Sequence, residues 1–101
     1  MAGIANVQDR GALISLEGGE GAGKTTVLGA LRARLEARGH VVVSTREPGG
    51  TPAGEAIRAL LLDPSQPLVP NAELLLMFAS RAQLVDTLIE PALARGDTVL
   101  T

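Results

Sequence analysis

Eight consecutive residues constrain this chain more than any other feature: Gly18-Gly19-Glu20-Gly21-Ala22-Gly23-Lys24-Thr25. They match G-x-x-x-x-G-K-[ST] without a mismatch, and they follow a short apolar stretch and open a helical pattern, the context such a run requires. The glycines allow consecutive backbone N–H groups to turn inward around an anion, which side chains would obstruct. The helix behind them adds the partial positive charge of its N-terminus. This is a P-loop, suited to a nucleoside triphosphate such as ATP. Lys24 is expected to reach the β- and γ-phosphates, and the Thr25 hydroxyl to join the shell of a Mg2+ ion. Thr26, the next residue, is expected to donate to the α-phosphate. The motif argues for nucleotide binding and is silent about the reaction that follows.

The flanking residues predict the fold around it. Ala12-Leu13-Ile14-Ser15-Leu16 reads as a buried strand. From Thr25 to Arg38 apolar residues recur at Val27, Leu28, Leu31 and Leu35, a helical period, and Gly39 stops it. Val41-Val42-Val43-Ser44-Thr45, dominated by β-branched residues, suits a buried parallel strand. Strand, helix and strand make a βαβ unit with an expected right-handed crossover. Glu47-Pro48-Gly49-Gly50-Thr51-Pro52 is a loop, residues 53–62 a short helix, and Asn71 the expected cap of a long one. Within that helix residues 74–78 are apolar on all sides, so burial against the sheet and a further surface is expected. Pro91 marks a kink or a second helix start, Gly96-Asp97 a turn, and residues 98–101 a third strand. The fold class is therefore α/β, a parallel sheet of strands 13–17, 41–45 and 98–101 flanked by helices on both faces. Residues 1–10 read as a flexible N-terminus and 11–101 as part of a single domain. Because the last strand is unfinished, the chain reads as the N-terminal half of a longer, truncated whole.

Composition narrows the function classes. Of 101 residues 46% are hydrophobic and 20% charged, the balance of a globular protein and not of a disordered one. There is one Phe and no Tyr or Trp, so Phe78 is the single candidate for stacking on a base. No Cys is present, which excludes disulfides and thiolate metal sites. A net charge of −2 without a basic block argues against nucleic-acid and membrane partners. No apolar run reaches the ~18 residues that span a bilayer, and a cytoplasmic protein is expected. His40, the only His, reads as a surface residue.

Beyond the P-loop, three stretches resemble bacterial thymidylate kinase. The first is residues 17–26, with an acidic residue inside the loop at Glu20. The second is Thr45-Arg46-Glu47-Pro48-Gly49-Gly50-Thr51, followed by Glu55, Ile57, Arg58 and Leu60-Leu61-Leu62. The third is Ala72-Glu73-Leu74, then Met77-Phe78-Ala79-Ser80-Arg81, Gln83-Leu84 and Pro91-Ala92-Leu93. The likeness runs from Leu13 to the last residue, and its later motifs are more specific than the P-loop alone. It implies a nucleoside monophosphate kinase-like fold, transfer of a phosphoryl group from ATP to dTMP, Mg2+ dependence, homodimers and a place in dTTP synthesis.

Residue by residue, the resemblance puts Glu20 near the 3′-hydroxyl of the dTMP sugar, where a carboxylate accepts from a hydroxyl. It gives Arg58 the 5′-phosphate, which a guanidinium fork meets with two donors in one plane. Lys24 and Arg58 are thus the expected catalytic residues. Glu47 and Pro48 line the monophosphate site, Glu47 approaching the sugar or the metal. Arg46 either contacts substrate or pairs with a neighbouring carboxylate. Arg81 reads the thymine edge. Many relatives place the stacking Phe four residues before that Arg, where this chain has Met77, and Phe78 stands three before. Either Met77 covers the ring through its polarisable sulfur or Phe78 turns in to stack, and Phe78 is favoured. Some relatives carry an Arg at the position of Gly21; its absence here matches the branch whose transition-state arginines come from a lid later in the chain. A chain ending at Thr101 would lack that lid, and weak nucleotide binding without useful kinase activity is expected of it. The rivals are another nucleoside or metabolite kinase and a nucleotide-driven switch or partitioning ATPase. Residues 47–51 and 78–81 speak against the first, and the absence of a second loop Lys against the other.

Overall fold

The computed structural model describes residues 10–16 and 23–101. These fall into two compact units, Met1–Ser44 with Ala92–Thr101, and Thr45–Pro91.

A short run of Thr, Val and Leu suits a strand covered on both sides, and the last strand of the first unit is one. β3, Thr98–Leu100, is buried at all three positions and lies between β1, Leu13–Ile14, and β2, Val42–Ser44. Both pairings are parallel: Val99 stands opposite Leu13 on one side and Val43 on the other. The order β1-β3-β2 means that the βαβ connection skips one strand position, which β3 fills. Val99 and Leu100 are among the most buried side chains, each worth ~1.5–3 kcal/mol relative to exposure.

Two expected strands are shorter than their sequences read. Val41 is largely exposed and falls outside β2, although its carbonyl still accepts from Thr98 N–H at 2.8 Å. Ser15 and Leu16 fall outside β1, yet Leu16 N–H donates to the Thr101 carbonyl at 3.1 Å, so pairing outlasts the strand. Glu17 lies outside the described residues.

Between β1 and β2 runs α1, Lys24–Ala37, one residue from its expected bounds. Leu28, Leu31 and Leu35 form its half-buried stripe, while Val27, expected with them, is exposed. Arg32 ties the helix to β2, donating to Ser44 Oγ at 3.0 Å and to the Val42 carbonyl at 3.5 Å. Gly39 ends the helix as expected, with His40 N–H returning to the Leu35 carbonyl at 3.1 Å. His40 is exposed.

The second unit is helical. α2 spans Pro52–Leu62 and α3 Pro70–Leu84, and they pack on each other. Gly54, Ile57, Arg58 and Leu61 form the shielded face of α2 at helical spacing. Asn71 does not cap α3: Val69 occupies the N-cap and Pro70 the first helical position. Proline is preset for that position, with a fitting φ and no N–H to leave unsatisfied. A π-helical turn, Val85–Ile89, joins α3 to α4, Glu90–Ala94. Pro91 cannot donate into the ladder, and Glu90 N–H reaches back to the Val85 carbonyl. The expected irregularity at Pro91 is this turn.

The expected burial of residues 74–78 is not what the chain adopts. Leu74, Leu75, Met77 and Phe78 are each at least half exposed. The shielded ridge of α3 is Ala72, Leu76, Ser80 and Leu84, spaced by four. One helical neighbour needs only one such ridge of small and medium side chains, so the flanking apolar residues stay outside it. Among the described residues no helix is long and apolar enough to cross a membrane.

Candidate functional site

Each of the two units holds candidate site residues. In the first, α1 opens on Gly23, a left-handed N-cap at φ 77°, with Lys24 and Thr25 in the first turn. Glycine is required there by conformation alone, since a Cβ would meet nothing within 4 Å. No side chain caps this end and its first turn holds no acidic residue, so the N–H groups and their positive potential stay available to an anion. Lys24 is half-buried, and Thr25 and Thr26 are exposed. These features fit a triphosphate carried with Mg2+, and the exposed Thr25 hydroxyl is an oxygen donor of the kind such an ion takes. Gly18, Gly19, Glu20, Gly21 and Ala22, expected to complete the cradle, lie outside the described residues.

In the second unit the loop from Thr45 to Thr51 is held by side chains of α2 and α3. Thr51 caps α2, its hydroxyl accepting from Gly54 N–H at 2.8 Å. Four residues on, Glu55 turns its carboxylate back under the loop, accepting from Gly50 N–H at 2.8 Å and from both Nε and Nη2 of Arg46. From α3, the buried Ser80 accepts from Gly49 N–H at 2.9 Å. Gly50 sits at φ 83° with its backbone pressed inward, where a Cβ would meet Thr45 Oγ1 and, at 2.7 Å, Leu84 Cδ1. The Glu47–Pro48 peptide is cis.

This loop and α3 enclose a cavity of about 300 Å3 lined by Glu47, Pro48, Leu74, Met77, Phe78 and Arg81. Leu74, Met77, Phe78 and Arg81 recur at i, i+3, i+4 and i+7, so a single helix face supplies the wall. Arg81 Nε donates to Glu47 Oε1 at 2.6 Å across the mouth. Arg58, from α2, donates to the Pro48 carbonyl at 3.0 Å. Five expected substrate residues are therefore brought to one cavity, with Arg58 bonded to its loop. Met77 and Phe78 both line it.

The charges differ in a way the sequence did not disclose. Arg46 takes the structural alternative: it pairs with Glu55, and its guanidinium is held above its ordinary pKa by that hydrogen bond. The Glu55 carboxyl is lowered to about 2, first by Arg46 and then by Gly50 N–H. Arg81 likewise faces a carboxylate. Arg58 instead donates to an uncharged carbonyl. Its fork is thus the one among these three whose hydrogen-bonded partner leaves the positive charge uncancelled, although Glu55 lies near enough to feel it. Glu55 and Ser80 were given no role from sequence. A carboxylate four residues after a cap Thr, and a lone Ser on an apolar helix ridge, were the available signals.

A thymidylate kinase family model matches residues 16–101. This chain belongs to the thymidylate kinase family. It is similar to thymidylate kinase from Deinococcus radiodurans, 58% identical over 91 residues, covering 90% of this chain and 44% of that protein. It is also similar to thymidylate kinase from Chromohalobacter salexigens, 60% identical over 92 residues, covering 89% of this chain and 43% of that one. Among solved structures, the crystal structure of thymidylate kinase from Ehrlichia chaffeensis superposes with a TM-score of 0.74 at 35% identity, covering 90% of this chain and 52% of the other. The chain thus spans less than half the length of the curated thymidylate kinases it matches. The parallel α/β P-loop architecture expected from sequence is that of the family.

Proposed function

We propose that this chain supplies the phosphate loop and acceptor pocket of a dTMP kinase, which transfers the γ-phosphoryl group of ATP to dTMP, giving dTDP and ADP. The observation that carries the reading is the cavity of Glu47, Pro48, Leu74, Met77, Phe78 and Arg81, with Arg58 bonded to the same loop. Its carbon walls suit a flat base. Phe78 and Met77 cover the ring, Arg81 lies at its edge, Glu47 and Glu20 serve the sugar, and Arg58 grips the 5′-phosphate through paired donors.

An oxygen of the dTMP phosphate forms the new bond to the γ-phosphorus while the bond to the β–γ bridging oxygen breaks. The acceptor dianion is already a nucleophile near neutral pH, so no side chain need remove a proton. Lys24, the loop amides of residues 18–23 and the first-turn N–H groups of α1 stabilise charge on the transferring group, and Thr26 contacts the α-phosphate. Thr25 would hold Mg2+ with the nucleotide, and the ion would supply charge neutralisation at the phosphate oxygens. The same reading includes a homodimer, for which the exposed Leu62, Val69 and Leu75 supply apolar surface, and a cytoplasmic place in dTTP synthesis.

Offered dTMP, dUMP, dCMP and AMP with MgATP, the intact protein is expected to phosphorylate dTMP first. Preference for any of the other three defeats the reading, and rapid ATP hydrolysis without an acceptor points instead to a switch ATPase.

A further inference from the structure

Glu55 lines no part of the cavity, yet the loop that does is built around it. Its two carboxylate oxygens are shared between the Gly50 amide and the Arg46 fork, which brings the Arg46 side chain and the Gly50 backbone onto one group from α2. Ser80 holds the adjacent Gly49 amide from α3. Two consecutive N–H groups are therefore turned inward, away from the cavity. The preceding residues are left to serve the pocket: the Pro48 carbonyl meets Arg58, and the Glu47 side chain meets Arg81. Gly50 has no room for a side chain on this path, because Thr45 and Leu84 occupy the space. The loop is thus shaped from beneath by a carboxylate that no ligand in the pocket need touch.

We infer that Glu55 is the positioning residue of the acceptor loop: by holding Gly50 N–H and Arg46 together it sets the backbone that aims Pro48, Glu47 and Arg58 at a bound pyrimidine monophosphate. This rests on the reading of the cavity as the acceptor pocket. Ser80 is its weaker counterpart, a neutral acceptor opposite a charged one. Glu55 acts on acceptor binding and not on the phosphate loop, whose Lys24 and Thr25 belong to the other unit.

Two measurements on Glu55→Ala and Glu55→Gln test this. Amide hydrogen exchange reads the loop without any ligand. In the alanine variant Gly50 is expected to exchange ~10-fold faster, while Val99 in β3 is unchanged; glutamine keeps an acceptor oxygen and restores part of the protection. Calorimetric titration with dTMP reads the pocket: affinity falls ~10-fold in the alanine variant, less with glutamine, and MgATP affinity stays level. Unchanged Gly50 exchange in the alanine variant overturns the inference. So does a parallel loss at Val99 and in MgATP affinity, which marks general damage to the fold. If the alanine variant does not fold, Glu55→Gln decides: faster exchange confined to the loop supports the role, and wild-type exchange refutes it. A wild-type protein that ignores dTMP refutes the acceptor reading, while the exchange comparison still decides whether Glu55 shapes the loop.

Discussion

The two units of this chain each bury apolar side chains, and they differ in what else holds them. The strand unit rests on buried Val42, Val99 and Leu100 and on a backbone ladder that extends from Ala12 to Leu16 on the β1 side. The α2–α3 unit buries Leu84 and Ile89 but leaves Leu74, Leu75, Met77 and Phe78 at least half exposed. Its loop is shaped by Glu55, Ser80, Thr51 and Arg58, each bonded to backbone. The lesson is that a platform of strands needs packed apolar side chains, whereas a shaped loop needs bonds at particular atoms. Apolar burial is non-directional and supplies the first. Hydrogen bonds are directional and supply the second.

That contrast breaks if substitutions in one unit produce the effects assigned to the other. The largest expected effect is at Lys24: Lys24→Ala lowers turnover of the intact enzyme by ~10³-fold, with a smaller change in KM for dTMP. Steady-state kinetics with both substrates varied would expose the reverse pattern. Next is the core. Leu100→Ala is expected to cost ~2–5 kcal/mol in urea unfolding, against less than ~0.5 kcal/mol for Leu75→Ala on the exposed side of α3. Equal losses at these two leucines would contradict the difference in burial between the platform of strands and the outer side of α3.

In the loop unit, Arg58→Ala is expected to raise KM for dTMP ~10- to 100-fold with MgATP affinity retained, as suits a lost charged hydrogen-bond pair. A fall in MgATP affinity of the same size would place Arg58 with the nucleotide instead. Gly50→Ala forces a side chain into left-handed backbone and onto Thr45 and Leu84, for an expected ~1–3 kcal/mol by thermal unfolding. A neutral substitution there would show that the loop has another low-energy path.

The smallest effect is acidic and sharpens the comparison most directly. Glu55 titrates at about 2 in the fold against 4.5 ordinarily. Between those values the unfolded chain takes up the proton and the folded chain does not. The stability Glu55 contributes is therefore complete above pH 4.5 and is lost as the pH falls toward 2. Glu55→Gln is expected to flatten that part of the acid profile; an unaltered profile would mean that the Arg46 and Gly50 bonds do not persist in solution.

Much of the fold was legible in the residues because it depends on local chemistry. The apolar run at 12–16, the Val-rich run at 41–45, the helical period ending at Gly39 and the proline-marked loops each give the right element within a few residues. Asn71 misled because cap preference competes with proline at the first helical position, and Pro70 prevailed. Residues 74–78 misled because composition cannot say how many neighbours a helix has. With α2 as its helical partner, α3 buries only one ridge and gives a second face to the cavity.

What the sequence determined alone is a P-loop motif between a strand and a helix, and the parallel α/β class. Those follow from short-range spacing and side-chain chemistry. Only the tertiary structure decided that β3 lies between β1 and β2, that Met77 and Phe78 share one cavity, and which arginine meets a carboxylate and which a neutral carbonyl. Such pairings join residues far apart in the chain, and electrostatic interaction depends on distance and surroundings that spacing along a sequence does not encode.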